Sequence, residues 1–326
     1  MQPSSQMCLK NIHLNLIIYE TSKSNFKIGH SLLIVGIVTF SSCKKDNSAG
    51  QPTDTPAVAA TMDATQSDAV AEAQYDDVFN ITMGVQASDV GEDIGIGAGV
   101  DVIYSNTTNP DGTPTGTPDS ASSRCFTVTV VPHIADQFPK TITIDFGTGY
   151  RGKDGKLRKG KIVTIYTGPM FIPGNTTSTT FIDYSVDTFK IEGTHIVENT
   201  SLSNKKQWTA KVIDGKITNT NSESWRMWNS TRIHTQVEGN GTPLYPLDDK
   251  FEITGNSSGS NSNGNSWTAE IVAPLIKRFT CPWRVKGTVN ITRDATMAVL
   301  DYGDGACDDK ATITINGVTR IITLHK

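Results

Sequence analysis

From residue 126 to the end of the chain, apolar and polar positions alternate with a period of two. Phe126-Thr127-Val128-Thr129-Val130-Val131 and Thr141-Ile142-Thr143-Ile144-Asp145-Phe146 are the plainest runs, and this period predicts half-buried strands. Asp154-Gly155, Asp214-Gly215, Asn263-Gly264 and Asn316-Gly317 each fall between strand-like runs. Such dipeptides are the strongest short signal for a hairpin turn. The clearest case is Ala210–Ile213, then Asp214-Gly215, then Lys216–Thr218. Roughly fourteen strands fit between 125 and 325 at spacings of about 8–14 residues, with no strand–helix–strand alternation. The expected fold is all-β: an antiparallel meander of many short strands, curled or closed to hide its edges.

A helical period is found once, over residues 66–82. Val70, Ala73, Gln74, Asp77, Val78 and Ile81 trace an imperfect stripe, and Ala69 and Ala71 add propensity. The expected domain is therefore 66–326, one β-rich unit with an N-terminal helix. Residues 84–122, rich in Gly, Asp, Pro and Thr, read as a long irregular segment.

A second kind of apolar pattern lies upstream. Leu32–Phe40 is a continuous apolar run, with Lys23 and Lys27 before it and Ser41-Ser42-Cys43-Lys44-Lys45 after it. The run is shorter than the roughly 20 residues a spanning helix needs. It reads as a secretory signal over 1–42 that ends at a lipidation cysteine. Cys43 then becomes the first mature residue, and acyl chains at about 0.8 kcal/mol per buried methylene hold it to a membrane. Phe40 stands where Leu is preferred and Ser42 where Gly or Ala is. Residues 1–26 carry no part of such a signal, so translation is expected to start downstream of them. Residues 43–65 are rich in Pro, Ala, Ser, Thr and Asp, and read as a flexible tether.

Charge narrows the partners. The formal net charge is −4 and charged residues are 19% of the chain, with no basic block. A nucleic-acid partner therefore has no electrostatic footprint. Export makes disulfides permissible. Folding the segment 281–307 about Arg293-Asp294 places Ile291 opposite Thr296 and Cys281 opposite Ala306, one position from Cys307. A Cys281–Cys307 bond is expected, worth roughly 3–4 kcal/mol by loop entropy, and Cys125 is left over.

The tail SSCKKDN resembles lipoprotein signals of Bacteroidota, and its KKD resembles their surface-export signal. Farther on, AEAQYDDVFN, TITIDFGTGYRGKDGK, WNSTRIHTQ and LDYGDGACDDKATITINGV resemble a family of uncharacterised lipoproteins of Bacteroidota over most of the mature chain. In that family a cysteine tends to stand at the position of Tyr150, where it would pair with the equivalent of Cys125; this chain lacks it. The resemblance implies an outer-membrane lipoprotein on the periplasmic or cell-surface face. It brings no activity with it.

Local chemistry is sparse. Gly255-Asn256-Ser257-Ser258-Gly259 has the letters of the hydrolase nucleophile elbow, but no helix follows to build the turn. The six histidines, His13, His30, His133, His195, His234 and His325, are scattered without zinc spacing. The segment from Asp301 to Asp309 is expected to be a solvated tight turn, with Asp301, Asp304 and Asp308 as its calcium candidates. Ile144–Gly149 reappears as Leu300–Gly305, either two related halves or one turn used twice. Asp119-Ser120-Ala121 resembles an O-glycosylation acceptor of this bacterial group.

In Trp225–His234, odd positions carry Trp225, Met227 and Ile233, the expected core face. Even positions carry Arg226, Trp228, Arg232 and His234, a candidate contact surface, with Trp228 as an aromatic platform for a sugar. The reading preferred over this candidate surface is a Trp packed against a neighbouring strand or loop, with the Arg stems covering it. The leading function is a non-catalytic envelope lipoprotein without cofactor, binding a glycan or an envelope protein or serving a structural role. The alternative is an envelope or surface hydrolase acting on polysaccharide.

Overall fold

The computed structural model describes residues 55–85, 87–96, 126–152, 154–241 and 248–324. Helix α1 (Pro56–Met83) is followed by a single turn, α2 (Ala87–Val90). Strands β1 (Thr127–Val131), β2 (Lys140–Asp145), β3 (Tyr150–Arg151), β4 (Leu157–Tyr166) and β5 (Thr176–Val186) come next. Then follow β6 (Phe189–Asn199), β7 (Gln207–Asn219), β8 (Trp225–Glu238), β9 (Lys250–Asn261) and β10 (Ser266–Arg278). The chain ends in β11 (Arg284–Arg293), β12 (Thr296–Asp304), β13 (Lys310–Ile315) and β14 (Val318–Thr323). All fourteen belong to one sheet in sequence order, with the short β3 pairing only β4. Every ladder is antiparallel, the geometry that short turns impose.

The helix starts at Pro56, ten residues before the expected 66, and takes in residues 56–65 of the segment read as tether. Thr55 has extended backbone and accepts a hydrogen bond from Val58 N (3.4 Å), and Pro56 occupies the first turn. A cap followed by proline is a helix start that needs no apolar stripe. The stripe is imperfect because the helix is enclosed. From Ser67 to Val85 no residue of α1 or its cap is fully exposed, and Asp68, Glu72, Gln74 and Asp77 are buried beside Tyr75, Val78 and Phe79.

The sheet curls around α1. Asp76 pairs with Arg284 of β11 while its neighbour Asp77 pairs with Arg158 of β4. Those strands are seven ladder steps apart, about 34 Å in a flat sheet. A helix is only about 10–12 Å across. The sheet is not closed: its order ends at β1 and β14, with no ladder joining them among the described residues.

Bulges bend the strands. The Asp214-Gly215 pair, expected to be a hairpin turn, lies inside continuous β7, where the register to β8 shifts between Val212 and Gly215. Asp214 takes φ 51°, which serves a bulge as well as a turn, and two long neighbours pin the flanks. Opposite it on β6, Gly193 has φ 109°, and a Cβ there would lie 2.6 Å from the Asp214 carbonyl oxygen. Gly193→Ala is expected to cost more than about 2 kcal/mol, read as a lower denaturant midpoint with unchanged slope. A variant within 0.5 kcal/mol (about the surface-substitution scatter) would refute the close approach.

The β11–β12 hairpin turns at Asp294-Ala295, with Arg293 opposite Thr296 and Ile291 opposite Ala298. That register is two residues from the expected one, which preserves the faces because the side-chain period is two. Cys281 and Cys307 are joined by a disulfide, with Cα atoms 5.8 Å apart. The repeated motif is one turn solution: Asp145 accepts from Gly147 N (2.9 Å) and Asp301 from Gly303 N (2.8 Å).

Candidate functional site: the ionic layer and cavity along the helix

The inner face of the sheet meets α1 through charges. Glu72 accepts from Arg232 Nε (2.8 Å) and from Arg284 Nη2 (3.2 Å). Asp76 takes both terminal nitrogens of Arg284 (3.0 and 2.9 Å), with Lys277 Nζ at 3.7 Å. Asp77 takes Arg158 Nη2 (2.6 Å) and Lys156 Nζ (2.9 Å), and Arg158 also donates to Asp154 (2.7 Å). One oxygen of Asp68 collects Trp228 Nε1 (2.8 Å), Trp267 Nε1 (3.0 Å) and Ser257 Oγ (2.9 Å). Asp63 accepts the side-chain amides of Asn261, Asn263 and Asn265.

Burial alone would raise Glu72, Asp76 and Asp77, but the cations beside them prevail. Arg232 and Arg284 hold Glu72 below the usual carboxylate range, and Arg284 with Lys277 does the same to Asp76. Lys156 and Arg158 bring Asp77 down to about 2. Burial pushes the neighbouring imidazoles the other way, His195 to about 3 and His234 to about 4, so both are neutral at pH 7. His234 stacks on Phe79 at 4.3 Å, and Trp228 stacks on Tyr75 at 5.5 Å.

This layer overturns the candidate contact surface and the assignment of the odd face to the core, and it has Trp228 packed, as the preferred reading had it. Trp228 is 1% exposed, and Arg232 and His234 are buried with it; Arg226 is half-buried, its guanidinium 5.7 Å from the Phe189 ring centroid. The even positions of β8 face the helix, and the odd positions face outward, with Trp225 and Val237 partly exposed. Polarity misled because the inner face of this sheet packs on a polar helix, so charge complementarity takes the place of apolar burial. Those partners are encoded about 160 residues upstream, out of reach of any local pattern.

The calcium candidates are not brought together. Asp301 and Asp308 accept from the amides of Gly303 and Lys310, and Asp304 accepts from Ala306 N (3.4 Å). Each serves its own turn, and the described residues contain no group of three or more His, Cys, Asp or Glu placed to hold a metal. Ser257 of the elbow-like motif is buried inside β9, donating to Asp68 and accepting from Arg232 Nη2 (3.2 Å). Cys43, Cys125, Ser120 and His325 lie outside the described residues.

A cavity of about 870 Å³ runs beside α1 from Asp63 to Asn80, a length of roughly 26 Å at 1.5 Å per residue. Ala69 and Ala73 line it from the helix, Phe251 and Tyr302 from the sheet, and Phe279 and Trp283 from the connection between β10 and β11. Cys281 is also on this wall, so the disulfide ties it to the Ala306–Asp309 turn. Glu72, Asp76 and Asp77 all border the space.

Fold and site together define an open antiparallel meander curled around a buried, charge-paired helix. No family model matches the chain, and neither a curated protein nor a solved structure matches it significantly.

Proposed function

We propose that this chain is an exported lipoprotein, anchored through Cys43, with a non-catalytic binding role in the cell envelope and a glycan or an envelope protein as its partner. The observation that carries the non-catalytic part is the state of the cavity carboxylates. Glycoside hydrolysis needs one carboxylic acid with a raised pKa beside a second carboxylate. Glu72, Asp76 and Asp77 are instead held ionised by arginine and lysine. Asp249 is the carboxyl pushed up by burial, to about 7, and it does not line the cavity. Among the described residues Ser257 has no imidazole partner. Fixed, mutually neutralised charges can orient a bound molecule without reacting with it.

The anchor rests on the apolar run ending at Cys43. No described helix is long and apolar enough to cross a membrane. Cys43→Ala is expected to abolish acylation and move the protein from the membrane fraction to the soluble exported fraction. Retention of the variant in membranes would sink the anchored reading. Turnover of envelope polysaccharide by the purified protein, lost on Glu72→Gln, would favour the hydrolase.

A further inference from the structure

The outer face of the sheet carries a second concavity, distinct from the cavity along α1. A trough of about 760 Å³ crosses β7 to β12. The register lines its floor with two rows of directly opposed side chains. One row is Asn229, Ser258, Thr268, Thr292 and Met297. The other is Lys211, Thr231, Asn256, Glu270 and Asn290. Each row crosses five strands, about 19 Å at the spacing of neighbouring strands. The alternation of every one of these strands points these residues away from the helix.

Three properties narrow what fits there. The lining is balanced in charge, with Lys211 and Glu270 as its one cation and one anion, so neither a polyanion nor a polycation is drawn to it. The lining has no aromatic residue and no Arg, and its large apolar residues are Val212, Ile213 and Met297, whereas the centre of a protein interface is enriched in aromatic residues, Met and Arg. Lastly, the polar groups are unspent. The side chains of Thr231, Asn256, Ser258, Thr268, Asn290 and Thr292 make no hydrogen bond to any described residue. Amides and hydroxyls each donate and accept, and here they repeat at strand spacing along a concave floor.

We infer that this trough is a binding site for a neutral oligosaccharide strand, whose regularly spaced hydroxyls both donate and accept. The inference rests on the reading of the chain as an exported envelope-binding protein, and it names the ligand class and the place. The trough contains no aromatic platform, so its selectivity comes from hydrogen-bond pattern along the strand and not from ring stacking.

The test uses the membrane-extracted protein in detergent micelles, titrated with short neutral gluco-, manno- and xylo-oligosaccharides and with oligogalacturonate as the acidic counterpart. At least one neutral series is expected to bind in preference to oligogalacturonate. Asn256→Ala/Asn290→Ala is expected to weaken that binding at least tenfold, and Thr268→Trp to abolish it by filling the floor. Both variants should keep the parent melting temperature, since all three positions lie on the outer face. Equal binding by parent and variants would overturn the site. Preference for oligogalacturonate, or capture of an envelope protein that Thr268→Trp disrupts, would overturn the ligand class. If no neutral saccharide binds while fractionation through Cys43 behaves as expected, the trough is refuted and the anchored reading stands.

Discussion

Glu72→Ala is expected to lower the unfolding free energy by about 3–5 kcal/mol, the cost of removing one partner from a buried ion pair. Glu72 is the bridge between Arg232 of β8 and Arg284 of β11. Without it Arg284 keeps Asp76, but among the described residues Arg232 keeps Ser257 Oγ, the Thr231 carbonyl and the face of the Trp228 ring (5.3 Å), none of them a counter-charge. A guanidinium with a side chain 6% exposed then has no counter-charge. Glu72→Gln should cost less, because its carbonyl still accepts one hydrogen bond. Gln66→Ala on the exposed part of the same helix is the control, expected within about 0.5 kcal/mol of the parent. Paired replacement of Glu72 and Arg232 by methionine should recover part of the loss, since removing both charges removes the unpaired one. Denaturant midpoints decide the matter: equal midpoints for Glu72→Ala and Gln66→Ala would show that the layer does not hold the helix in the sheet.

The second large effect is a loss of stability on mild acidification. His195 and His234 stay neutral in the folded protein down to about 3 and about 4, whereas the unfolded chain protonates them near 6.5. Below that pH the unfolded state binds more protons, so stability falls as pH drops. The slope is on the order of 1.4 kcal/mol per pH unit for each neutral imidazole. His195 faces Tyr75 and Phe79, while His234 lies against Phe79 with Asp76 and Arg284 near it. The depressed carboxyls act in the same direction lower down. Asp77, Glu72 and Asp76 contribute stability above the ordinary carboxylate range, and it is lost as pH falls through and below that range. Asp249, pushed up to about 7 by burial, gains its proton earlier in the folded state and offsets roughly one of the two imidazoles, so urea midpoints should be flat above about 7 and fall below 6.5 with the net slope of about one group. His195→Phe/His234→Phe should abolish or reverse the fall between about 6.5 and 4.5, because Asp249 then acts alone there, and should leave the lower part in place. Parallel curves for parent and double variant would exclude the histidines as the cause.

Much of the fold was legible residue by residue. Asn316-Gly317 turns between β13 and β14 with φ 51° and 78°, because that pair supplies left-handed backbone at low cost wherever it stands. Asp154-Gly155 and Asn263-Gly264 likewise sit between strands. The same chemistry at Asp214-Gly215 makes a bulge, since local backbone preference cannot report whether neighbouring strands continue past it. The start of α1 was written in Thr55-Pro56, but the alanine-rich turn after it has the composition of a linker. The candidate site was the least legible part, as Trp228 illustrates. Its position in an alternating strand was readable, but the direction of its face was not.

The sequence by itself determined the antiparallel meander, the order of its strands, and the partnership of Cys281 with Cys307. Turn chemistry and period-two patterning act between residues close along the chain, and short connections leave consecutive strands little choice of neighbour. Tertiary structure alone decided which face of the sheet is inside, how far the sheet curls, and that Arg158, Arg232 and Arg284 are buried. Those outcomes depend on Glu72, Asp76 and Asp77 of one helix meeting cations on strands from β4 to β11. A charge is affordable in the interior only when its counter-charge arrives there too, and that pairing exists only once the sheet has wrapped around the helix.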